Sequence, residues 1–380
     1  MKKLIIGMIS GLAFIAACST EKNESSENFE FNLTQDTVVV DSKDGIINLQ
    51  DGLSFPELSS DGKHLYSLVF MQPKIDKINL ETLTLEKTLE FEREGPNGIG
   101  TYVAGYSLTP KDQIMMWSYG INAIFDQSGE KVKDFKLDQI AGEEISGSGF
   151  LPLRLVEHPE DRNIIFGLYV KWSDYEYFLI KFDIESETFE KIALPETVKL
   201  NEFRMEIEVD GRPAGGFGPP PVATIADEKI ILTNSGFNEA YVYDMILDSL
   251  YLISWDSKLT GNKNEAKLPK KVQMEEANEY AKQFDESIKF MPISWDPITQ
   301  QYIRLSSKSR FGEELDQYGN TKELDSEVFL TIIDKNLKIV KETKLENYTK
   351  QPPKYFFIDN TIWLYENIDD ELGFVRITIN

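Results

Sequence analysis

The sequence predicts an all-β protein built as a six-bladed β-propeller. Six segments share one pattern, in which an alternating apolar strand, a short turn and a second strand rich in β-branched and aromatic residues follow one another. Two further strand-like runs follow most of these pairs. Four successive strands, repeated along the chain, are typical of propeller blades. The six units begin at Phe55, Tyr102, Leu153, Pro220, Met291 and Pro353.

The first unit shows the pattern most plainly. It reads FPELSSDGKHLYSLV from Phe55, continues with KIDKINLET and LEKTLEFE, and places Asp61-Gly62 at its first turn. Asp, Gly, Pro and Asn are the residues that tight turns require. The first two units have the length of a bare blade, roughly 40–50 residues, whereas the later units are longer. The later units are therefore expected to carry insertions.

The two ends of the β region are expected to pair. The last unit, from Pro353 to Asn380, has room for about three strands, and Asp36–Ser42 (DTVVVDS) is a lone β-branched strand. Pairing this strand with the last blade would close the ring and remove an exposed sheet edge. The alternatives are an open β-sandwich and two separate β domains.

One stretch breaks the β pattern. Met274, Ala277, Ala281, Phe284 and Ile288 recur at alternating spacings of 3 and 4 residues, with Glu and Lys between them. This periodicity predicts an amphipathic helix over about residues 273–289, inserted between the fourth and fifth units.

The N-terminus has the features of a secretory leader. Lys2 and Lys3 precede the apolar run Leu4–Ala17, which is shorter than the roughly 20 residues that a membrane-spanning helix needs. Ile15–Cys18 resembles the lipobox of bacterial lipoproteins, in which the cysteine is acylated. We expect a signal peptide (1–17), a lipidated flexible tether (18–30) and a single propeller domain (31–380). The alternative is an ordinary signal peptide with an incidental cysteine.

Composition excludes several classes of function. The formal charge is −24 and becomes more negative when the leader is removed, so the surface repels nucleic acid and anionic lipid. We therefore expect no nucleic-acid partner, and membrane contact through the lipid on Cys18 alone. One cysteine permits neither an internal disulfide nor a cysteine-based zinc site.

The connections that lead from one unit to the next are long and Gly-rich, for example REGPNGIG and GRPAGGFGPPP. Long loops on a rigid scaffold usually carry binding, so we expect the binding face at the end where these connections emerge. Aromatic residues beside Arg are typical of binding hot spots. The candidate residues on this face are Arg93, Glu94, Trp172, Tyr175, Arg212, Phe237 and Arg310.

Catalytic and cofactor signatures are weak. The only histidines, His64 and His158, belong to different units and are expected at the opposite face, which argues against a catalytic triad or a zinc site. GPNGIG does not have the order of a dinucleotide-binding motif. We predict no cofactor; Ca²⁺ stays open, although no EF-hand-type loop is present. Carboxylate pairs for glycan cleavage also stay open, with Glu94, Glu143, Glu144 and Asp174 as candidates at the channel mouth.

The lipobox, the GPNGIG connection and the unit spacing together resemble uncharacterised six-bladed β-propeller lipoproteins of Gram-negative bacteria, a domain-of-unknown-function family. The resemblance runs from about Asn32 to the end of the chain. It implies a propeller fold and a location in the cell envelope, and it implies no catalytic residues.

We therefore expect a lipid-anchored extracytoplasmic binding or scaffold protein, held in the outer membrane in preference to the inner one. It would present one propeller face to a glycan, peptide or protein. The alternative function is a glycan-active hydrolase or lyase that uses carboxylates at the channel mouth. A binding role is favoured over catalysis.

Overall fold

The computed structural model describes residues 32–49, 52–53, 55–69, 72–145, 151–315 and 321–380. The predicted signal peptide, Cys18 and the predicted tether lie outside the described residues. The described part is an all-β protein with few helices.

The first half of the chain forms three antiparallel sheets after an initial strand, β1 (Leu33–Val39). Sheet I contains β2 (Glu57–Leu58), β3 (His64–Leu68), β4 (Lys74–Asn79) and β5 (Thr84–Glu90). Sheet II contains β6 (Gly105–Leu108), β7 (Ile114–Ser118), β8 (Ile121–Phe125) and β9 (Lys131–Phe135), and a short helix α1 (Leu137–Ala141) follows it. Sheet III contains β10 (Arg154–Glu157), β11 (Ile164–Lys171), β12 (Glu176–Asp183) and β13 (Thr188–Ala193).

The second half continues this order with one interruption. The accessory strands β14 (Met205–Val209) and β15 (Arg212–Phe217) follow sheet III. Sheet IV contains β16 (Val222–Ala226), β17 (Lys229–Thr233), β18 (Glu239–Asp244) and β19 (Ser249–Ser254); β20 (Lys271–Gln273) and α2 (Met274–Glu286) follow. Sheet V contains β21 (Lys289–Phe290), β22 (Ser294–Asp296), β23 (Gln301–Leu315), β24 (Thr321–Asp334) and β25 (Ile339–Lys344). Sheet VI contains β26 (Tyr355–Ile358), β27 (Thr361–Ile368) and β28 (Glu371–Ile379), together with β1.

Hydrophobic clusters join the sheets in cyclic order. Each of six clusters of buried side chains in the described residues combines side chains of two successive sheets, and the last one joins sheet VI to sheet I. Representative pairs, from the I–II to the VI–I cluster, are Tyr66 and Phe125, Trp117 and Tyr169, Phe166 and Tyr243, Val242 and Tyr302, Leu330 and Phe357, and Phe374 and Leu65. Both faces of these sheets are buried, which is why their inner strands read as nearly continuous apolar runs.

The N-terminal strand pairs with the C-terminal strand. β1 lies antiparallel to β28, from Leu33 opposite Ile379 to Val39 opposite Gly373. Most β1 side chains are exposed, so its contribution to sheet VI comes mainly from the backbone ladder. Arg376 of β28 adds an ion pair with Asp36 of β1.

The predicted amphipathic helix is present as α2, within the range that the periodicity predicts. Ala277, Phe284 and Ile288 are buried, but Met274 is 45% exposed, which differs from its predicted position on the apolar face. Asn264, which is fully buried, donates hydrogen bonds to the carbonyls of Phe284 and Ile288. These bonds satisfy carbonyl groups at and beyond the helix end, and so fix α2 to the preceding connection.

Two segments expected to be loops are strands. Arg212 begins β15, which pairs with β14 in an accessory sheet that β20 completes by a parallel pairing. Arg310 lies within β23. The pairing of β23 with β24 continues as a two-stranded hairpin beyond the other strands of sheet V. Glycines and charges made both segments look like loops, but cross-strand pairs such as the hydrogen-bonded hydroxyls of Ser309 and Ser326 hold the second one as a hairpin.

Candidate functional site

The upper face is the end of the sheets at which each second strand ends and each first and third strand begins. The antiparallel order of the strands places the connections between units and the connections between second and third strands at this same end. Two groups of exposed aromatic side chains lie at the upper face. We call them the aromatic platform and the cleft, and define them below.

The aromatic platform consists of Trp172, Tyr175 and Arg204. Trp172 is 48% exposed, and its ring meets the Tyr175 ring edge-on, with 5.6 Å between the ring centroids. The Arg204 guanidinium stacks on the face of the Tyr175 ring. Cation–π stacking of this kind restrains both groups, so Trp172 projects from an ordered base.

The turn that carries the platform is tightly held. The Tyr175 amide donates a 2.7 Å hydrogen bond to the Lys171 carbonyl, and Tyr175 has φ of 54°, a left-handed conformation uncommon for a bulky residue. Lys171 also forms an ion pair with Asp174, and its hydrogen bond lowers the pKa of the Asp174 carboxyl. The platform is therefore flanked by an exposed ion pair.

Phe237 lies beside the platform and not in it. Its half-buried ring packs on Phe203 at 5.4 Å, and the ammonium groups of Lys199 and Lys263 lie 5.1 and 5.8 Å from its centroid. Since Phe203 directly precedes Arg204, Phe237 supports the segment that brings Arg204 to Tyr175. Arg204 was not among the binding residues predicted from the sequence. The only local feature that could have indicated a binding role is its position next to Phe203 in a long insertion.

Arg93 and Glu94 are exposed in the connection between sheets I and II. The backbone of this connection folds on itself, with Gly98 donating to the Gly95 carbonyl and Gly100 donating to the Arg93 carbonyl. A Cβ on Gly98 would lie 2.9 Å from the Arg93 carbonyl oxygen. Close backbone approach therefore explains the glycine at position 98, in agreement with the interpretation of GPNGIG as turn geometry.

Arg212 and Arg310 lie on strands outside the platform. Arg212 is exposed on the accessory sheet, and Arg310 forms a two-point ion pair with Asp325 on the neighbouring strand of its hairpin. Within the described residues no contact joins either arginine to Trp172 or Tyr175. The structure therefore brings together two of the seven predicted residues, Trp172 and Tyr175, and packs Phe237 on Phe203, the residue before Arg204.

The cleft lies at the upper face between sheets I and II and has a volume of about 50 Å³. It is lined by Phe55, Leu68, Gln72, Pro73, Thr101, Tyr102, Val103 and Ala104. Tyr102 and Tyr119, 44% and 63% exposed, stack beside it with their centroids 6.0 Å apart. Sequence reasoning missed this group because its members come from four separate connections.

Beneath the upper face, an ion pair links the innermost strands. Arg154 of sheet III makes a two-point contact with Glu57 of sheet I, and its guanidinium also reaches the Tyr106 carbonyl of sheet II at 3.4 Å. Both charged side chains are less than one-fifth exposed. The pair therefore ties three successive sheets together along their inner edges.

The carboxylates considered for catalysis occupy ordinary environments or lie outside the described side chains. Glu144 pairs with Lys191 at 3.1 Å, Asp174 pairs with Lys171, and Glu94 is exposed. The side chain of Glu143 lies outside the described residues. Within the described part of the chain, no group of three or more His, Cys, Asp or Glu side chains is arranged to hold a metal ion.

The two histidines form separate local contacts. His64 lies 2.9 Å from Glu86, and His158 lies 2.9 Å from the Met245 carbonyl. Both follow first strands at the end of the sheets opposite the upper face, where the sequence placed them. Among the described residues, no contact joins either histidine to the platform or the cleft.

A family model described as Domain of unknown function (DUF4221) matches residues 27–344. The chain belongs to this DUF4221 family. The match covers most of the β region, including sheets I to V, and bears out the resemblance to a domain-of-unknown-function family.

A DUF4221 family member from Bacteroides vulgatus, whose structure is solved, has the same fold. It is 16% identical to this protein, with a TM-score of 0.62, and the alignment covers 92% of this chain and 98% of that one. The Cps50 (Swd1) β-propeller domain of Myceliophteria thermophila is 9% identical, with a TM-score of 0.40 and coverage of 92% and 100%. A comparison with curated proteins finds no match.

In the part of this DUF4221 protein that the structure describes, no helix combines the length and the apolar character needed to cross a bilayer.

Proposed function

We propose that this DUF4221 protein is a lipid-anchored, extracytoplasmic binding module that presents its upper face to a glycan, peptide or protein partner. The observation that carries the proposal is the aromatic platform, in which an exposed Trp172 is held by Tyr175 and Arg204. A flat apolar ring beside charged groups complements a sugar ring, which offers a C–H face and peripheral hydroxyl groups. Among the three partner classes, the platform therefore favours a glycan.

The proposal includes a closed six-bladed ring as the scaffold. Six sheets joined in cyclic order by hydrophobic clusters support it, as does the pairing of β1 with β28. A closed ring leaves no open sheet at either end of the series. Such a rigid support would keep the connections at the upper face in a constant arrangement, which is how binding loops are usually presented.

Binding is better supported than glycan cleavage. A glycosidase needs one carboxyl that acts as an acid, with a raised pKa, and a second carboxyl at a matched distance. At the upper face, the hydrogen bond from Lys171 lowers the pKa of Asp174, and Glu144 is neutralised by Lys191. These environments suit electrostatic support of a bound ligand more than proton donation.

Replacing Trp172 by alanine is expected to weaken ligand binding at least tenfold, because aromatic hot-spot residues typically contribute about 2 kcal/mol or more. The test uses the soluble form that begins at Ser19, applied to arrays of glycans and peptides, with Kd measured for the best ligand. Product analysis of the same incubations tests the hydrolase or lyase alternative.

The matched control is Tyr251→Ala, which removes an aromatic of similar exposure, 40%, from an outer strand. This control should bind like the wild type. If Trp172→Ala binds its ligand as tightly as the control does, the platform is not the binding site. Release of shortened glycans would favour the enzymatic alternative.

The anchor is tested separately at Cys18. Cys18→Ala should move the protein from the membrane fraction to the soluble fraction, because acyl chains are its proposed membrane contact. Fractionation of cells, with metabolic labelling by a fatty acid, measures this. A variant that stays membrane-bound and unprocessed would indicate retention by the apolar leader, and a wild-type protein without label would exclude the lipid.

A further inference from the structure

The upper face contains a second feature, at the cleft. The Lys354 side chain lies immediately before β26 and places its ammonium 5.5 Å from the centroid of the Phe55 ring, which lines the cleft. Within the described residues, the ammonium forms no hydrogen bond or ion pair. A protein with a formal charge of −24 has abundant carboxylates to pair with its lysines, and most described lysines have one.

The Lys354 side chain is exposed to solvent at the edge of the cleft. Partial burial of its ammonium by the surrounding protein lowers its pKa, while the Glu57 carboxylate opposes that shift. Glu57 is already held in the two-point contact with Arg154. The charge of Glu57 is therefore largely balanced, and the Lys354 charge remains available.

Deeper in the same region lies a second unused polar group. The Tyr106 side chain is fully buried, and its hydroxyl has no hydrogen-bond partner among the described residues. Burial raises the pKa of Tyr106 well above its usual value, and the Glu57 carboxylate raises it further. Buried polar groups normally have partners. The Tyr106 hydroxyl is an exception, and its ring belongs to the same hydrophobic cluster as Leu68, which lines the cleft.

The walls of the cleft add two further properties. Phe55 and Tyr102 supply aromatic surface, whereas Gln72 and Thr101 supply neutral polar groups. Complete ligand pockets usually measure about 300–1,000 Å³, so a cleft of about 50 Å³ accommodates one substituent or ring edge. The stacked Tyr102–Tyr119 pair beside it offers surface for the remainder of a larger molecule.

We propose that the cleft and Lys354 form a subsite for a carboxylate-bearing sugar ring, such as a uronic acid residue of an acidic glycan. The carboxylate pairs with the Lys354 ammonium, the ring packs on Phe55 and Tyr102, and its hydroxyls meet Gln72 and Thr101. This subsite rests on the proposed function as a glycan-binding module, and it adds the class of sugar that the module recognises.

Lys354→Met is the decisive variant, because Lys354 has few structural contacts and its loss should leave the melting temperature unchanged. The probes are glucuronate and glucose, which differ in the carboxylate, observed by ligand-detected NMR on the form beginning at Ser19. Wild type should bind glucuronate at least tenfold more tightly than glucose, and Lys354→Met should remove that preference. Lys354→Glu should abolish glucuronate binding.

The matched control is Lys350→Met, which removes the same charge from an exposed lysine paired with Glu366, and it should keep the preference. Equal binding of glucuronate and glucose by wild type, or an unchanged preference in Lys354→Met, would overturn the subsite. An acidic peptide that binds in place of glucuronate and depends on Lys354 would also overturn the choice of a sugar.

The outcome is separable from that of the proposed function. If Trp172→Ala abolishes binding of a neutral glycan while glucuronate does not bind, the proposed function stands and the subsite fails. If glucuronate binding depends on Lys354 but not on Trp172, the cleft and not the platform is the binding site.

Discussion

Arg304→Met is expected to lower the free energy of unfolding by about 3–5 kcal/mol, because each buried acceptor left without its donor costs about 1–3 kcal/mol. Arg304 is 2% exposed, and its guanidinium donates to the carbonyls of Met291 and Asn234 and to the Asn238 side chain, at 2.7–2.9 Å. Methionine fills similar space but donates nothing. Three buried acceptors would lose their donor, and each such loss is costly.

The environment of Arg304 explains why the expected effect is large. The guanidinium lies between the rings of Trp255 and Phe290, 5.4 and 5.0 Å from their centroids, and burial lowers its pKa to about 10. It therefore stays protonated at neutral pH and joins the connections of sheet IV to the inner edge of sheet V. Denaturant unfolding followed by tryptophan fluorescence measures the change.

Arg310→Met is the matched control, because it makes the same replacement in the same strand at an exposed position. Its ion pair with Asp325 is solvent-accessible, and such pairs contribute about 1 kcal/mol or less. A loss within 1 kcal/mol for Arg304→Met, similar to the control, would show that the buried guanidinium does not stabilise the fold. Arg304→Lys should fall between the two, since an ammonium cannot reach all three acceptors.

Removal of β1 is expected to destabilise the protein by roughly 5 kcal/mol, since a ladder of about seven backbone pairings at around 1 kcal/mol or less each would be lost. The comparison is between a chain that begins at Asn32 and one that begins at Val40. The shorter chain leaves the edge of β28 unpaired from Gly373 to Ile379. Exposed edges of this kind promote association between copies, so it should also aggregate.

Thermal melting and size-exclusion chromatography measure both effects of the truncation. The chain that begins at Asn32 is the control and should melt like the chain that begins at Ser19. Adding a peptide of residues 32–41 to the shorter chain should raise its melting temperature as the peptide concentration increases. Equal melting temperatures for the two truncated chains would show that β1 is not required to complete sheet VI.

Local patterns in the sequence were sufficient for much of the architecture. Alternation of apolar residues located the inner strands of the six units, and Asp-Gly turns such as Asp61-Gly62 located their connections. The spacing of Ala277, Phe284 and Ile288 located α2, because a helical face has a period that a single segment reveals. The position of Trp172 and Tyr175 in one short turn made their contact predictable.

Only the tertiary structure decided which distant residues meet. The Arg204 guanidinium stacks on Tyr175 from a long insertion, and the Lys354 ammonium lies against Phe55, which is distant in sequence. Arg304 donates hydrogen bonds to acceptors in another sheet. The strands at Arg212 and Arg310 each pair with the neighbouring strand of a hairpin, but their glycines and charged residues predicted loops. The alternation of apolar and polar residues that marks a strand is visible in neighbouring residues. The contacts of a charged side chain depend instead on how the sheets pack against one another.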